Sequence, residues 1–502
     1  MHAFRLCFYL LAVALVLGAQ DVREFEKKIT EFTLANGLHF ILAERHEAPV
    51  VSFHTYVRAG AVDDPAGQTG LAHMFEHLAF KGTETIGTKN WSDEKKAMDA
   101  IEEVYDRLDA ERNKAVKADQ SRIETLQTQL KVAVDRADLY VLPNDHIRTM
   151  EENGGVRLNA SAGLDSIEYA CSLPSNRLEL WFLLESQRFL HPVFRQFYGE
   201  REVVLQEYRQ QVESRPQGLL TQSLLSTAFA VHPYRNPPGG WPSDIASLRR
   251  GDARTFFDKY FVPGNITIAI VGDVDPAESK RMAERYFGPM QAKPLPPIRH
   301  TQEPPQPGPK IAAIDLPTQP IAAVGYKRPD QYDQDDAVFD VIQLILSGPS
   351  GLLYKEMVED KRLTTSVQAL ATFPGGRYPN LFTFLLAPSQ GHTVEENEKA
   401  LDDLLAVFQA NPVDAGMLER AKTQARAGAL RMASSNSGLA RLLVLYYAGY
   451  GDWRTMFTSF NQLDKVTADD VQRVARKYFV AVNRTTAYTA PPRPPAAAGG
   501  KR

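Results

Sequence analysis

The chain has 502 residues, 44% of them apolar, enough to fill two large domains or about three of ordinary size. A net charge of -4 leaves no basic footprint and argues against nucleic acid as the main partner. Only two cysteines are present, so a disulfide framework is excluded.

At the N-terminus, Arg5, the apolar stretch Leu6 to Leu17, and the small residues Gly18 and Ala19 read as a signal peptide over residues 1–19. The run is short for a membrane span, so no stable span is expected after its removal; retention as an uncleaved anchor is the alternative. Cys7 lies inside the signal, which leaves Cys171 as the one mature cysteine and permits no intrachain disulfide. A cysteine-poor exported chain fits the bacterial periplasm or exterior. Phe32 to Ala43 then reads as two strands joined through Asn36-Gly37, and Val50 to Val57 as another.

The segment Gly70 to Gly82 (GLAHMFEHLAFKG) predicts a helix entered from a glycine-bearing turn and packed on one side through Leu71, Ala72, Met74, Phe75 and Leu78. His73 and His77 fall one turn apart on it, with Glu76 beside them. The order H-x-x-E-H reverses the commoner H-E-x-x-H. Titratable groups in so apolar a helix are costly unless paired, and a metal would pair them. A divalent cation acidifies a water and polarises a carbonyl, so a carboxylate such as Glu76 suffices as general base at neutral pH.

From Trp91 to about Asn144, residues Met98, Ile101, Tyr105 and Leu108, then Ile123, Leu126 and Leu130, follow heptad-like spacing on either side of a polar stretch. This predicts a helical hairpin. Its short length favours packing on its own domain over coiled-coil dimerisation. Beyond it, Gly199 to Gln211 (GEREVVLQEYRQQ) places Glu200 and Glu207 seven apart on one helical face, and Glu207 is the candidate third ligand.

Lys259 to Gly272 (KYFVPGNITIAIVG) recurs 218 residues later as Lys477 to Ala490 (KYFVAVNRTTAYTA), with Asp252 and Asp470 at equivalent places in the helices leading in. A period this long means tandem domain duplication. The expected organisation is an N-terminal catalytic domain over 20–292 with the insert at about 91–144, a Pro-rich linker over 293–309, a similar domain over 310–490, and a disordered tail over 491–502.

The pairing of H-x-x-E-H with a downstream E-R-E-V-V-x-x-E resembles the inverzincin zinc metallopeptidases of the pitrilysin, insulin-degrading-enzyme and mitochondrial-processing-peptidase family. Asn153 to Ser161 (NGGVRLNAS), His232 to Gly240 (HPYRNPPGG) and Ser347 to Val367 match in order, so the resemblance covers nearly the whole mature chain. It implies an α+β fold of two tandem homologous domains, each a mainly antiparallel sheet backed by helices, enclosing part of a chamber. It implies one zinc ion per chain, with His73, His77 and Glu207 as ligands and Glu76 as general base. Glu200 becomes an outer carboxylate that steadies a ligand histidine, the partner such histidines usually have. Val156 to Ala162 resembles the family's edge strand, to which an extended peptide adds, with Asn159 and Ala160 as substrate contacts. Zinc is preferred to manganese or cobalt on ligand type and resemblance.

Two departures qualify the likeness. The insert stretches the separation of His77 and Glu207 to 130 residues. In Gly351 to Val367 (GLLYKEMVEDKRLTTSV), Val358 and Thr365 stand where the family commonly has an Arg and a Tyr that stabilise the oxyanion. The expectation is a zinc endopeptidase acting on peptides or small unfolded polypeptides, the catalytic subunit of a heterodimer whose second two-domain chain supplies Arg and Tyr. A homodimer, a non-catalytic scaffold or assembly subunit of the same fold, and a zinc hydrolase of another substrate are the alternatives.

Overall fold

A computed structural model describes residues 25–298 and 301–490; the expected signal peptide and terminal tail lie outside the described residues. The hairpin signal at Asn36-Gly37 joins β1 (Ile29–Thr33) to β2 (His39–Glu44), paired antiparallel from Ile29↔Ala43 to Thr33↔His39. With β3 (Val50–Val57), β4 (Val156–Ala162), β5 (Ile167–Pro174) and β6 (Ile266–Gly272) they form a sheet of order β1-β2-β6-β3-β5-β4. A second sheet has the order β7-β11-β8-β10-β9, from β7 (Lys310–Asp315), β8 (Ala322–Arg328), β9 (Thr364–Phe373), β10 (Asn380–Pro388) and β11 (Arg484–Ala490). The fold class is therefore α+β, with two mainly antiparallel sheets and helices around them.

The repeated segments occupy corresponding places. β6 runs parallel to β2 and antiparallel to β3, as β11 runs parallel to β7 and antiparallel to β8. The helices leading in, Arg250–Tyr260 and Ala468–Tyr478, are closed at their starts by the two aspartates. Asp252 accepts from Arg249 N at 2.8 Å and Asp470 from Thr467 N at 3.1 Å, each satisfying an amide that the helix start would otherwise leave without a partner.

β2 and β6 are apolar without alternation because both faces of the sheet are covered. Phe40 and Leu42 face a core with Phe182 and Phe287, supported by the helices Leu178–Leu190 and Pro276–Phe287. Ile41, Ala43, Ala269 and Val271 face Leu439, Ala440, Leu443 and Val444 of the helix Asn436–Tyr450, which belongs to the second half of the chain. The exchange is mutual. Helix Pro216–Ala228 of the first half lies on β7, β8 and β11, with Leu220, Leu224 and Leu225 sharing a core with Ala323, Leu381 and Ala487. Leu443→Ala removes a fully buried side chain from that seam and is expected to cost about 2–5 kcal/mol, read as a lowered denaturant midpoint.

The segment after the motif forms helices Trp91–Arg112 and Gln120–Asp138, packed on each other through Leu108, Ile123 and Leu126. Its neck is closed by Lys89 N to Tyr140 O at 2.8 Å and Leu142 N to Gly87 O at 2.9 Å. Its first helix lies on the chain's own first half. Among the described residues, no helix is long and apolar enough to cross a membrane.

Candidate metal centre

The motif helix, Leu71–Leu78, buries Leu71, Ala72, Met74, Phe75 and Leu78 and leaves His73, Glu76 and His77 half-buried. Its start is pinned from several sides. Gly70 sits at φ +99, and the Asp64 carboxylate accepts from Gly70 N at 2.7 Å and Ala72 N at 2.9 Å. The Gly239-Gly240 turn closes over that start so tightly that a side chain at Gly240 would begin 2.5 Å from Gly70 N. Trp241 N donates to Thr69 Oγ1 at 2.8 Å and Thr69 Oγ1 to Asp244 at 2.8 Å, which ties the same loop to the helix.

Helix Phe197–Tyr208 packs against the motif helix and widens into a π turn at Arg209–Glu213 just after Glu207. Glu207 Oε2 lies 3.7 Å from His73 Nε2 and 3.6 Å from His77 Nε2, and the two Nε2 atoms are 3.3 Å apart. Donors bound to zinc at about 2.0–2.1 Å in a tetrahedron are separated by roughly 3.3–3.4 Å, so this triangle fits the ion. Glu76 Oε2 is 4.0 Å from His73 Nε2 and accepts from Ala162 N at 3.0 Å. That contact holds the carboxylate at the rim of the triangle.

The electrostatics suit ligation. Burial, then the neighbouring His77, pulls the His73 imidazole down to about 4, so it is neutral at pH 7 and keeps a lone pair. For His77, burial pulls downward but is outweighed by Glu200, Glu207 and Glu76, and the net shift is upward. A cation in the triangle would answer the same carboxylates that favour a proton on His77. Glu200 Oε2 faces His77 Nδ1 at 3.4 Å, which directs Nε2 toward Glu207, and Glu200 Oε1 meets Lys81 Nζ at 2.5 Å. Burial pushes Glu200 up, yet His77 and Lys81 bring it net below the usual carboxylate range. Burial leaves Glu76 raised.

A cleft of about 350 Å³ opens beside the triangle, lined by Glu76, His77, Glu207, Phe80, Lys81, Leu158, Asn159, Ala160 and the insert's exit Val141–Asn144, among others. β4 is the edge strand of its sheet and borders this cleft. Asn159 pairs with Ala170 of β5, whereas Ala162 turns its N–H away from β5 to Glu76. Strand alternation then points the main chain of Ala160 to the open side. Every lining residue lies between Glu76 and Glu207, and none is an Arg or a Tyr. Val358 lies in the turn Tyr354–Asp360, and Thr365, at the start of β9, donates to Ala387 O at 3.0 Å; neither borders the cleft. Lys81 and Asp64 were missed by sequence reasoning. The Lys81 contact had a signal, since Lys81 follows His77 by one helical turn.

The chain is similar to known proteins in sequence and in fold. A family model described as Insulinase (Peptidase family M16) matches residues 39–106, and one described as Peptidase M16 inactive domain matches residues 247–425. The zinc protease PqqE of Helicobacter pylori is 25% identical over 492 residues, 95% of this chain and 96% of that protein. The crystal structure of a protease from Helicobacter pylori superposes with a TM-score of 0.77 at 23% identity, covering 92% of this chain and all of the other. The periplasmic protease PqqL from Escherichia coli gives a TM-score of 0.67 at 16% identity, over 92% of this chain and 47% of that one. The two matched segments, the similarity along nearly the whole chain and the shared two-sheet fold place the protein in one group: it belongs to the M16 (insulinase) peptidase family.

Proposed function

We propose that this protein is a zinc-dependent endopeptidase of the bacterial periplasm or exterior, the catalytic subunit of a heterodimer, acting on peptides or small unfolded polypeptides. The observation that carries this reading is the near-equilateral triangle of His73, His77 and Glu207 with Glu76 at its rim beside an open strand edge. Export is supported by the apolar run Leu6 to Leu17 and by likeness to a protein described as periplasmic.

His73, His77 and Glu207 would hold the zinc ion, which when bound supplies a Lewis acid for the scissile carbonyl and for an attacking water. Glu76, with Oε2 engaged by Ala162 N–H, takes the proton of that water at Oε1 as the new C–O bond forms. It then delivers the proton to the amide nitrogen as the C–N bond breaks. An extended peptide adds to β4, pairing with the main chain of Ala160 while Asn159 faces it from the cleft wall. Ala160→Pro removes one donor from the open edge; Ala160 sits opposite Tyr169 of β5 in a pair whose main-chain groups point away from β5, so no β5 hydrogen bond is removed. It should lower kcat/KM two- to twelve-fold, the worth of a hydrogen bond of about 0.5–1.5 kcal/mol.

Among the described residues that line the cleft there is no Arg or Tyr to meet an oxyanion, and none from the second half. A second two-domain chain carrying Arg and Tyr at the places of Val358 and Thr365 would supply both. The likeness to a protein of about twice the span agrees with that requirement. A scaffold role is the second reading, favoured by the inactive-domain match; that match covers 247–425, outside the residues that line the cleft.

The test is reconstitution. Metal-free chain should take up one zinc ion, cleave a quenched peptide weakly alone, and gain activity when mixed with such a partner. Chelation should abolish that activity. Zinc uptake with no cleavage under either condition supports the scaffold reading, and full activity of the rigorously pure chain sinks the heterodimer.

A further inference from the structure

We propose that the helical hairpin inserted between the motif and the third ligand is a positioning device: its first helix, Trp91–Arg112, fixes the helix that carries Glu200 and Glu207. The inference rests on the ligand set proposed above. The closed neck at Lys89 and Leu142 lets the hairpin leave and rejoin the chain as a unit, so connectivity alone gives it no reason to touch the ligand helix. It nevertheless does so along one face.

Tyr198 OH donates to the Glu102 carboxylate, with oxygens at 3.0 and 3.1 Å, and the Tyr198 ring stacks on Tyr105 at 4.6 Å between centroids. Arg201 Nη1 donates to Tyr105 OH at 2.6 Å, and its guanidinium lies over both rings. On an α-helix, position 198 lies about 160–180° around the axis from 200 and 207, and 201 about 100–120° from them, on the adjoining flank. The insert therefore grips the back and one flank of the helix whose front presents Glu200 to His77 and Glu207 to the triangle.

A second clamp joins the same parts. Arg195, just before the ligand helix, forms a fully buried ion pair with Glu94 of the insert. The same guanidinium donates to Thr83 O at 2.9 Å, to Ile86 O at 3.1 Å and to Lys81 O. Lys81 is the residue whose amine holds Glu200. Insert, post-motif loop and ligand helix thus converge on one side chain, and loss of Glu94 would leave that charge buried without its ion-pair partner.

Groups that orient a metal's ligands typically carry 10–100-fold in metal affinity. The full chain with Glu102→Gln and Tyr105→Phe together is expected to bind zinc at least ten-fold more weakly in competition with a chromophoric chelator, at a temperature where its circular dichroism matches the unmodified chain. Glu111→Gln, at the hairpin's far end beside Lys114 and Asp119, should loosen the hairpin and leave zinc affinity within two-fold. If the double variant does not fold, Tyr198→Phe, which removes one hydroxyl from the ligand helix, takes its place with the same expected direction. Affinity within two-fold of the unmodified chain in these variants, or an equal loss in Glu111→Gln, overturns the proposal. Failure of the unmodified chain to take up zinc would instead bring down the ligand set, and this inference with it.

Discussion

With Glu76 replaced by Gln, the chain keeps one zinc ion and its peptide cleavage falls by roughly 10²–10⁴-fold, the usual contribution of a general base. The two carboxylates on the Nε2 side of the histidines are distinguished by geometry. Glu207 Oε2 is nearly equidistant from both Nε2 atoms, at 3.7 and 3.6 Å, whereas Glu76 lies 4.0 Å from His73 and spends Oε2 on Ala162 N. A glutamine at 76 can still accept from that amide through its carbonyl, so the strand edge and the triangle are preserved. What it cannot do is take a proton at the second position. Zinc content by mass spectrometry and turnover of a quenched peptide in the presence of the proposed partner chain check the two halves of this expectation. Unchanged turnover would assign the base elsewhere; loss of the metal would make Glu76 a ligand.

Much of this site was legible in the sequence because its spacing is local. His73, Glu76 and His77 share a helix face at the 3.6-residue period, and Glu200 and Glu207 share another two turns apart. Strands β2 and β6 were legible in their apolar, β-branched composition, and the duplication in the recurrence of KYFV with its aspartate-capped helix. What escaped depends on contacts between distant segments. The seating of helix Asn436–Tyr450 on the first sheet and of Pro216–Ala228 on the second follows from apolar faces that fit either sheet equally well on pattern alone. The parallel pairing of β2 with β6 is likewise a matter of which neighbours meet across 220 residues and more. The heptad spacing of the insert gave its two helices. Its grip on Tyr198 and Arg201 could not be read from residues that also suit a solvated helix surface.

The roles of Glu207 and Glu200 separate by magnitude. Glu207→Ala removes one of three donors and opens the triangle, so zinc affinity should fall by well over 100-fold, beyond the range typical of groups that only orient a ligand. Glu200→Gln leaves all three donors in place and weakens only the anchor on His77 Nδ1, now 3.4 Å from a carboxylate that Lys81 also holds. Its cost should lie within 10–100-fold, and excess zinc should restore turnover in this variant first. His77 also loses a group that favours its proton, which shifts its pKa down and removes part of the competition between proton and metal. That compensation places Glu200→Gln toward the lower end of the range near neutral pH. Chelator competition on both variants ranks them directly. A loss for Glu200→Gln as large as that for Glu207→Ala would make Glu200 the third ligand and would move the metal from the Nε2 side of His77 to its Nδ1 side, away from His73.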